Sequence, residues 1–187
     1  MKKLLLSAIM ATLMVSGAQA KEWKNVRVAI EGAYPPFSSI DEKGELHGFD
    51  VDITKALCEQ MKVKCTIVKQ DWDGMIPGLL ARKFDAIIAT MDITAERKKR
   101  IDFSEKYQHV PAHFAAKKGT QLELTADFMK DKKIGVQRAT SMDTYVSDNF
   151  PKAEIKRYGT ADEAYLDLKS GRVDYVLADT ASLVDGL

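Results

Sequence analysis

Four cations in a row, Arg97-Lys98-Lys99-Arg100, follow shortly after an apolar run, Phe84 to Ala89, and the polar stretch Thr90-Met91-Asp92-Ile93-Thr94. Such a run suits a nucleic-acid patch, a solvated helix face, or an anion clamp made by one of its members. If the apolar run is a strand ending at Thr90, backbone N–H groups are exposed beyond it. Thr94 can then cap a short helix that carries Arg97 near its first turn. Backbone donors, hydroxyls and a guanidinium would converge on a space suited to a carboxylate. Arginine binds that group bidentately, which lysine cannot do. On spacing alone Arg97 belongs equally well to a solvated face with Lys98, Lys99 and Arg100.

Other side chains can do complementary chemistry. Asp179 closes a second apolar run and can accept an ammonium, or it can cap the segment 180–187. Glu31, Tyr34 and Trp72 can form an acidic, aromatic slot, since aromatic faces attract flat or cationic groups; the two rings serve packing equally well. Catalytic constellations are poor. His47, His109 and His113 have no metal spacing and no evident nucleophile partner, and the chain has no G-x-S-x-G, phosphate loop or H-E-x-x-H. No metal or cofactor is expected.

The elements that must position these groups alternate as βαβα. Strands are expected at 26–30, 65–68, 84–89, 133–137, 155–158 and 173–178, and helices at 75–82 and 141–149. Asp50 is expected to cap a helix whose apolar face is Ile53, Ala56, Leu57 and Met61. Thr160-Ala161-Asp162-Glu163 forms a capping box, opening a helix with Ala161, Ala164, Tyr165 and Leu168 on one face and Gly171 at its end. Phe103 to Lys118 has no helical period and reads as extended crossover strands bent at Pro111. The stretch Leu79–Thr90 overlays Leu168–Asp179, and Val28–Tyr34 overlays Ile134–Thr140, with few letters in common. Each half is therefore a small α/β unit. In open α/β sheets ligands collect at strand carboxyl ends, here Glu31–Tyr34, Thr90–Thr94, Gln137–Ser141 and Asp179.

Composition narrows the function. Of the 187 residues, 45% are hydrophobic, enough for one large or two small cores. The 28 Lys and Arg against 27 Asp and Glu give +1, and setting aside Lys2 and Lys3 leaves 26 against 27. A near-neutral chain has no global field to draw in nucleic acid or a membrane surface. Residues 1–20 have the three parts of a secretory signal: Lys2 and Lys3, an apolar run from Leu4 to Val15, and the small-residue site Ala18-Gln19-Ala20. The run is shorter than the roughly 20 residues of a membrane span. The two cysteines, Cys58 and Cys65, are too far apart for a C-x-x-C motif and too few for a zinc site. In an exported chain they read as one small-loop disulfide, with a pair of buried thiols as the alternative.

From about Val26 to Asp185 the sequence resembles the periplasmic polar amino-acid-binding proteins of ABC transporters, in their lysine/arginine/ornithine- and histidine-binding branch. The resemblance is carried by "YPPF" (34–37), "GELHGFDVDITKALC" (44–58), "DGMIPGLLARKFDAI" (73–87), "MDITAERKKRIDFSEKY" (91–107) and "GRVDYVLADT" (171–180). It implies an α/β, two-lobed periplasmic binding protein clamshell (type II), with a signal peptide at 1–20, lobe 1 at 21–108 and lobe 2 at 109–187. It also implies that Arg97 holds a ligand α-carboxylate, helped by backbone N–H groups of Thr90, Asp92 and Ser141. Asp179 would take the α-ammonium together with Thr90. Tyr34 and Trp72 would sandwich the side chain, Glu31 would face its distal end, and Ala89, Gln137 and Thr140 would complete the lining. Cys58 and Cys65 match a disulfide of this branch. The partners implied are a small-molecule amino acid and an inner-membrane ABC permease, with a periplasmic monomer and no nucleic acid.

The sequence departs from the family pattern in four places. Asp92 stands where serine is common and resembles arginine-binding relatives in this; it either adds an anion beside the carboxylate site or helps the ammonium. Ala139 replaces a usual glycine. Arg138 is bulky and is expected at the cleft mouth. The pattern also continues beyond Leu187, so the second lobe and the return crossover are expected to be incomplete, with apolar surface exposed on lobe 1. Glu31 with two aromatics favours a cationic ligand: arginine, lysine, ornithine or an opine built on them. Two other readings compete. One is a dehydratase of the prephenate or arogenate type on the same scaffold, for which Glu31 is the only candidate acid. The other is a receptor-linked sensing module, which needs a membrane anchor.

Overall fold

The computed structural model describes residues 23–187; the leader read at 1–20 lies outside them. The elements run β1 (Asn25–Ile30), β2 (Ser39–Ile40), β3 (Leu46–His47), α1 (Phe49–Gln60), β4 (Lys64–Lys69), a 3₁₀ turn at Trp72–Gly74, α2 (Met75–Leu80), β5 (Ala86–Ile87) and α3 (Ala95–Lys98). They continue with β6 (Ala112–Ala116), α4 (Ala126–Met129), β7 (Lys133–Gln137), α5 (Ser141–Asn149), β8 (Glu154–Tyr158), α6 (Ala161–Ser170), β9 (Tyr175–Asp179) and α7 (Thr180–Gly186). The α/β alternation read from the sequence is present.

Two sheets carry the site. The first has strand order β4-β1-β5, all parallel, and the second β6-β9-β7-β8, in which β6 runs antiparallel to β9. The run β8-β7-β9 repeats β4-β1-β5. Its anchoring repeats too. Asp85 accepts the Arg27 backbone N–H at 2.9 Å and Asp174 accepts that of Lys133 at 2.8 Å, each at the foot of the corresponding strand pair. Both sheets direct their strand carboxyl ends to one place.

The second sheet has the fuller core. On one side Ala161, Ala164, Tyr165 and Leu168 of α6 pack with Val176 and Leu183. On the other, Ile134, Val136, Val146, Phe150 and Tyr175 pack together. The first sheet buries a smaller cluster centred on Val28, Ile30 and Val51. The Thr160/Glu163 capping box forms as expected, and Gly171 ends α6 in the left-handed region at φ 78°.

Three expectations need correction. Asp50 is not the cap of α1. Gly48 starts that helix at φ 117°, where a Cβ would stand 2.6 Å from the Phe37 carbonyl oxygen, so only glycine fits. The buried face of the helix is Asp50, Val51, Thr54 and Cys58, while Leu57 and Met61 are exposed. The run 84–89 pairs as strand only at Ala86–Ile87 and is partly exposed there. Of the crossover 103–118, only Ala112–Ala116 joins a sheet. The Cys58–Cys65 disulfide joins the end of α1 to β4.

The outer edge of β5 carries no strand among the described residues. Beside it lies a hollow of about 550 Å³ whose lining includes Leu57, Leu79, Ile88, Ile101 and Phe103. None of the described helices is long and apolar enough to cross a membrane.

Because the capping box fixes the start of α6, Thr160→Ala is expected to cost about 1 kcal/mol, and Thr160→Ser much less. Chemical denaturation followed by circular dichroism measures both.

Candidate functional site

At the carboxyl ends of the two sheets, polar groups pair with one another from opposite sides. Thr94 caps α3, its hydroxyl accepting from the Arg97 N–H at 3.2 Å, as its position in the sequence implied. That fixes Arg97 to point inward. One guanidinium nitrogen donates to the Asp92 carbonyl at 2.9 Å and the other to the Ala139 carbonyl at 3.2 Å, with the group 5.4 Å above the Trp72 ring. Burial lowers its pKa, opposed by the Asp92 charge, yet a guanidinium stays protonated. Lys98, Lys99 and Arg100 are exposed, and Lys99 pairs only with its helix neighbour Glu96. The four cations are thus one inward group and three surface ones.

Glu31 ends β1 and is 3% exposed. Gln137, ending β7, donates one amide nitrogen to Glu31 at 2.6 Å and to the Gly159 carbonyl at 3.1 Å. Burial above all pushes the Glu31 carboxyl up to about 7, while the Gln137 bond holds it down and Asp71, Asp162 and Asp73 add to the rise. Asp179 sits in the N-cap position of α7 but makes no cap bond. It accepts instead from the Tyr34 hydroxyl. Burial lifts Asp179 to about 6, with the Tyr34 bond opposing and Asp92 assisting. Tyr34 is presented by a turn in which its carbonyl accepts from Phe37 at 2.9 Å and Ser38 at 2.8 Å.

Asp92 does not cap α3. Its carboxylate accepts from the Ser141 hydroxyl across the cleft, while its carbonyl steadies Arg97. The turn that presents Ser141 has Ala139 at φ 60°, a region where glycine is at ease. The Ala139 carbonyl accepts from Trp72 at 3.1 Å as well as from Arg97. Thr140 is buried as the α5 cap, its hydroxyl accepting from Asp143 at 3.1 Å and donating to Gln137 at 2.7 Å. Ala89 is a buried small residue at the strand end.

Thr90 departs most from expectation. Its N–H donates to the Tyr107 hydroxyl at 2.9 Å and its own hydroxyl donates to Asp50 at 3.0 Å. Tyr107 in turn donates to Asp50 at 3.0 Å, and Gln108 donates to the Thr90 hydroxyl. Burial raises Asp50 to about 6, against these bonds. This cluster around the buried Asp50, which ties α1 and the crossover to the stretch after β5, was missed in the sequence. Its only signal was a carboxylate two residues past the cap of its helix.

Glu31, Tyr34, Trp72, Ala89, Thr90, Asp92, Arg97, Gln137, Thr140, Ser141 and Asp179 all line one space, joined by Met142. That space is small, about 30 Å³ open to water, room for one or two molecules. No group of three or more His, Cys, Asp or Glu among the described residues is placed to hold a metal.

Comparison with known proteins bears on this arrangement. Residues 26–154 match the family of bacterial extracellular solute-binding proteins, family 3. An L-arginine-binding protein of Pseudomonas aeruginosa is 47% identical over 188 residues, covering 100% of this chain and 73% of that protein. The ABC transporter arginine-binding protein 1 of Escherichia coli K12 is 41% identical over 181 residues, covering 97% and 72%. The solved structure of an ancestral arginine-binding protein bound to glutamine superposes with a TM-score of 0.81 at 38% identity, over 88% of this chain and 73% of that one.

The Glu31 carboxyl keeps its proton to higher pH when folded than when unfolded. Between its ordinary value of 4.5 and about 7 the folded state therefore binds more protons, and its contribution to stability is lost as pH rises through that window. Relative to the wild type, Glu31→Gln should show a weaker fall in melting temperature between pH 4.5 and 7.

Proposed function

The chain belongs to the bacterial extracellular solute-binding proteins of family 3, and on that footing we propose that it captures an L-amino acid with a cationic side chain, arginine before lysine or ornithine, for import by an ABC transporter. The observation that carries this reading is the set of charges that lines one space. Arg97, Asp179 beside Tyr34, and the buried Glu31 line it together. An α-carboxylate, an α-ammonium and a distal cation match those groups one for one. The relatives compared are binding proteins, and the chain is read as one too, not as an enzyme.

In this reading residues 21–108 and 109–187 are the two lobes and the crossover before β6 is the hinge. The space of about 30 Å³ is far too small for an amino acid, so capture requires the lobes to part and close again. The ligand would exchange partners with the protein. Its carboxylate would replace the Ala139 carbonyl at Arg97, and its ammonium would displace the Tyr34 hydroxyl at Asp179. Each protein–protein bond in the cleft thus holds a place for a ligand bond and limits the net gain. Trp72 and Tyr34 would flank the aliphatic part of the side chain. Residues 1–20 are proposed as the export signal to the periplasm, and an inner-membrane permease as the partner of a monomeric binding protein.

Titration calorimetry across the twenty amino acids tests this directly. Arginine should bind, and Arg97→Ala should weaken it by about 100-fold or more, the scale of a lost buried charge pair of ~3 kcal/mol. Tighter binding of glutamate than arginine would sink the cationic assignment. A cation beside Glu31 favours its charged form, so binding near pH 6.5 should release a proton. The measured enthalpy should then vary with the buffer, and the variation should shrink in Glu31→Gln.

A further inference from the structure

Outside the bonds already described, one ion pair spans the cleft mouth. Arg138, the first residue after β7, donates from Nε to the Asp73 carboxylate at 2.5 Å. Asp73 lies in the turn that carries Trp72, on the other side of the cleft. The Arg138 backbone is held by its N–H to the Tyr158 carbonyl at 2.9 Å. Its guanidinium lies along Gly159, where an added Cβ would come within 3.4 Å of one of its terminal nitrogens. The Gly159 carbonyl is the group that, with Glu31, receives the Gln137 amide. Arg138 is therefore joined to Glu31 through Gly159 and Gln137, just outside the residues that line the space.

The pair is poorly placed to act through stability. Its side chains are 48% and 41% exposed, and such pairs add little to folding. Its chemistry points elsewhere. A cation fixed over the end of a slot that receives a cationic group repels any group reaching past Glu31, and its bulk leaves no room for one. Without Asp73 across the cleft, the long Arg138 side chain would swing clear into solvent.

We propose that Arg138, tethered by Asp73, closes the distal end of the slot and sets the longest cationic side chain the site accepts. This rests on the reading of the cleft as a cationic amino-acid site. A length limit of this kind discriminates against homoarginine, one methylene longer than arginine, and against arginines substituted on the guanidinium.

Calorimetric affinities for arginine and homoarginine, on the wild type, Arg138→Ala and Asp73→Asn, provide the test. The wild type should prefer arginine by tenfold or more, within the range one methylene commands. Both variants should lower that preference at least fivefold, mainly by gaining homoarginine. Unchanged circular dichroism and melting temperature would show that the fold is intact, and because the two single variants disturb different lobes, misfolding of one leaves the other to decide. An arginine-to-homoarginine ratio within twofold of the wild type in a folded variant would overturn the gate while leaving arginine capture standing. Failure of the wild type to bind any amino acid would remove both.

Discussion

Burying a carboxylate costs several kcal/mol unless it is paired and hydrogen-bonded. Glu31, Asp50 and Asp179 are all withdrawn from water at or near strand ends, and their partners account for much of the architecture around them. Glu31 draws its partner from the second sheet through Gln137, and Asp179 draws its own from the first through Tyr34. Asp92 and Arg97 reach the same way to Ser141 and Ala139. Since every one of these bonds crosses the cleft, the polar groups do not merely line it. Their mutual need for partners holds its two walls together.

The repeat of strand order explains why the groups meet at all. β4-β1-β5 and β8-β7-β9 share one order, and an aspartate at the foot of each third strand bonds the backbone of the first. Few side chains are common to the two halves, so what is repeated is register and anchoring. Repeating them sets Thr90 and Asp179 at equivalent strand ends, and the same holds for Glu31 and Gln137. The pairs then differ in chemistry, which gives the cleft polarity along its length.

Much of this was legible in the sequence because the signals were local. β7, α5 and the α6 capping box appear where the residues put them, and the Thr94 cap singles out Arg97 from its neighbours. The failures share a cause. Asp50 looked like a cap because aspartate favours that position, but Gly48 takes it through backbone geometry that no periodicity reveals, and Asp50 is buried among Val51, Thr54 and Cys58 instead. Tyr107 and Gln108 lie in a segment without period, so their bonds to Thr90 depend on contacts 17 and 18 residues away. The cross-cleft partners are more distant still. The family resemblance named the residues that line the cleft, but not the protein groups each now holds.

The repeat is unequal at one edge. In the second sheet the outer side of β9 is covered by β6 in antiparallel register. In the first, the matching side of β5 faces the apolar hollow beside Leu57, Leu79 and Ile88. Such an edge offers unpaired backbone donors and acceptors next to greasy side chains, the combination that recruits any extended chain within reach. The molecule's behaviour in concentrated solution should therefore depend on this flank, whose hollow reaches Asp92 and Asp179 of the cleft. An added lysine or proline on β5 is the kind of change that would blunt this edge.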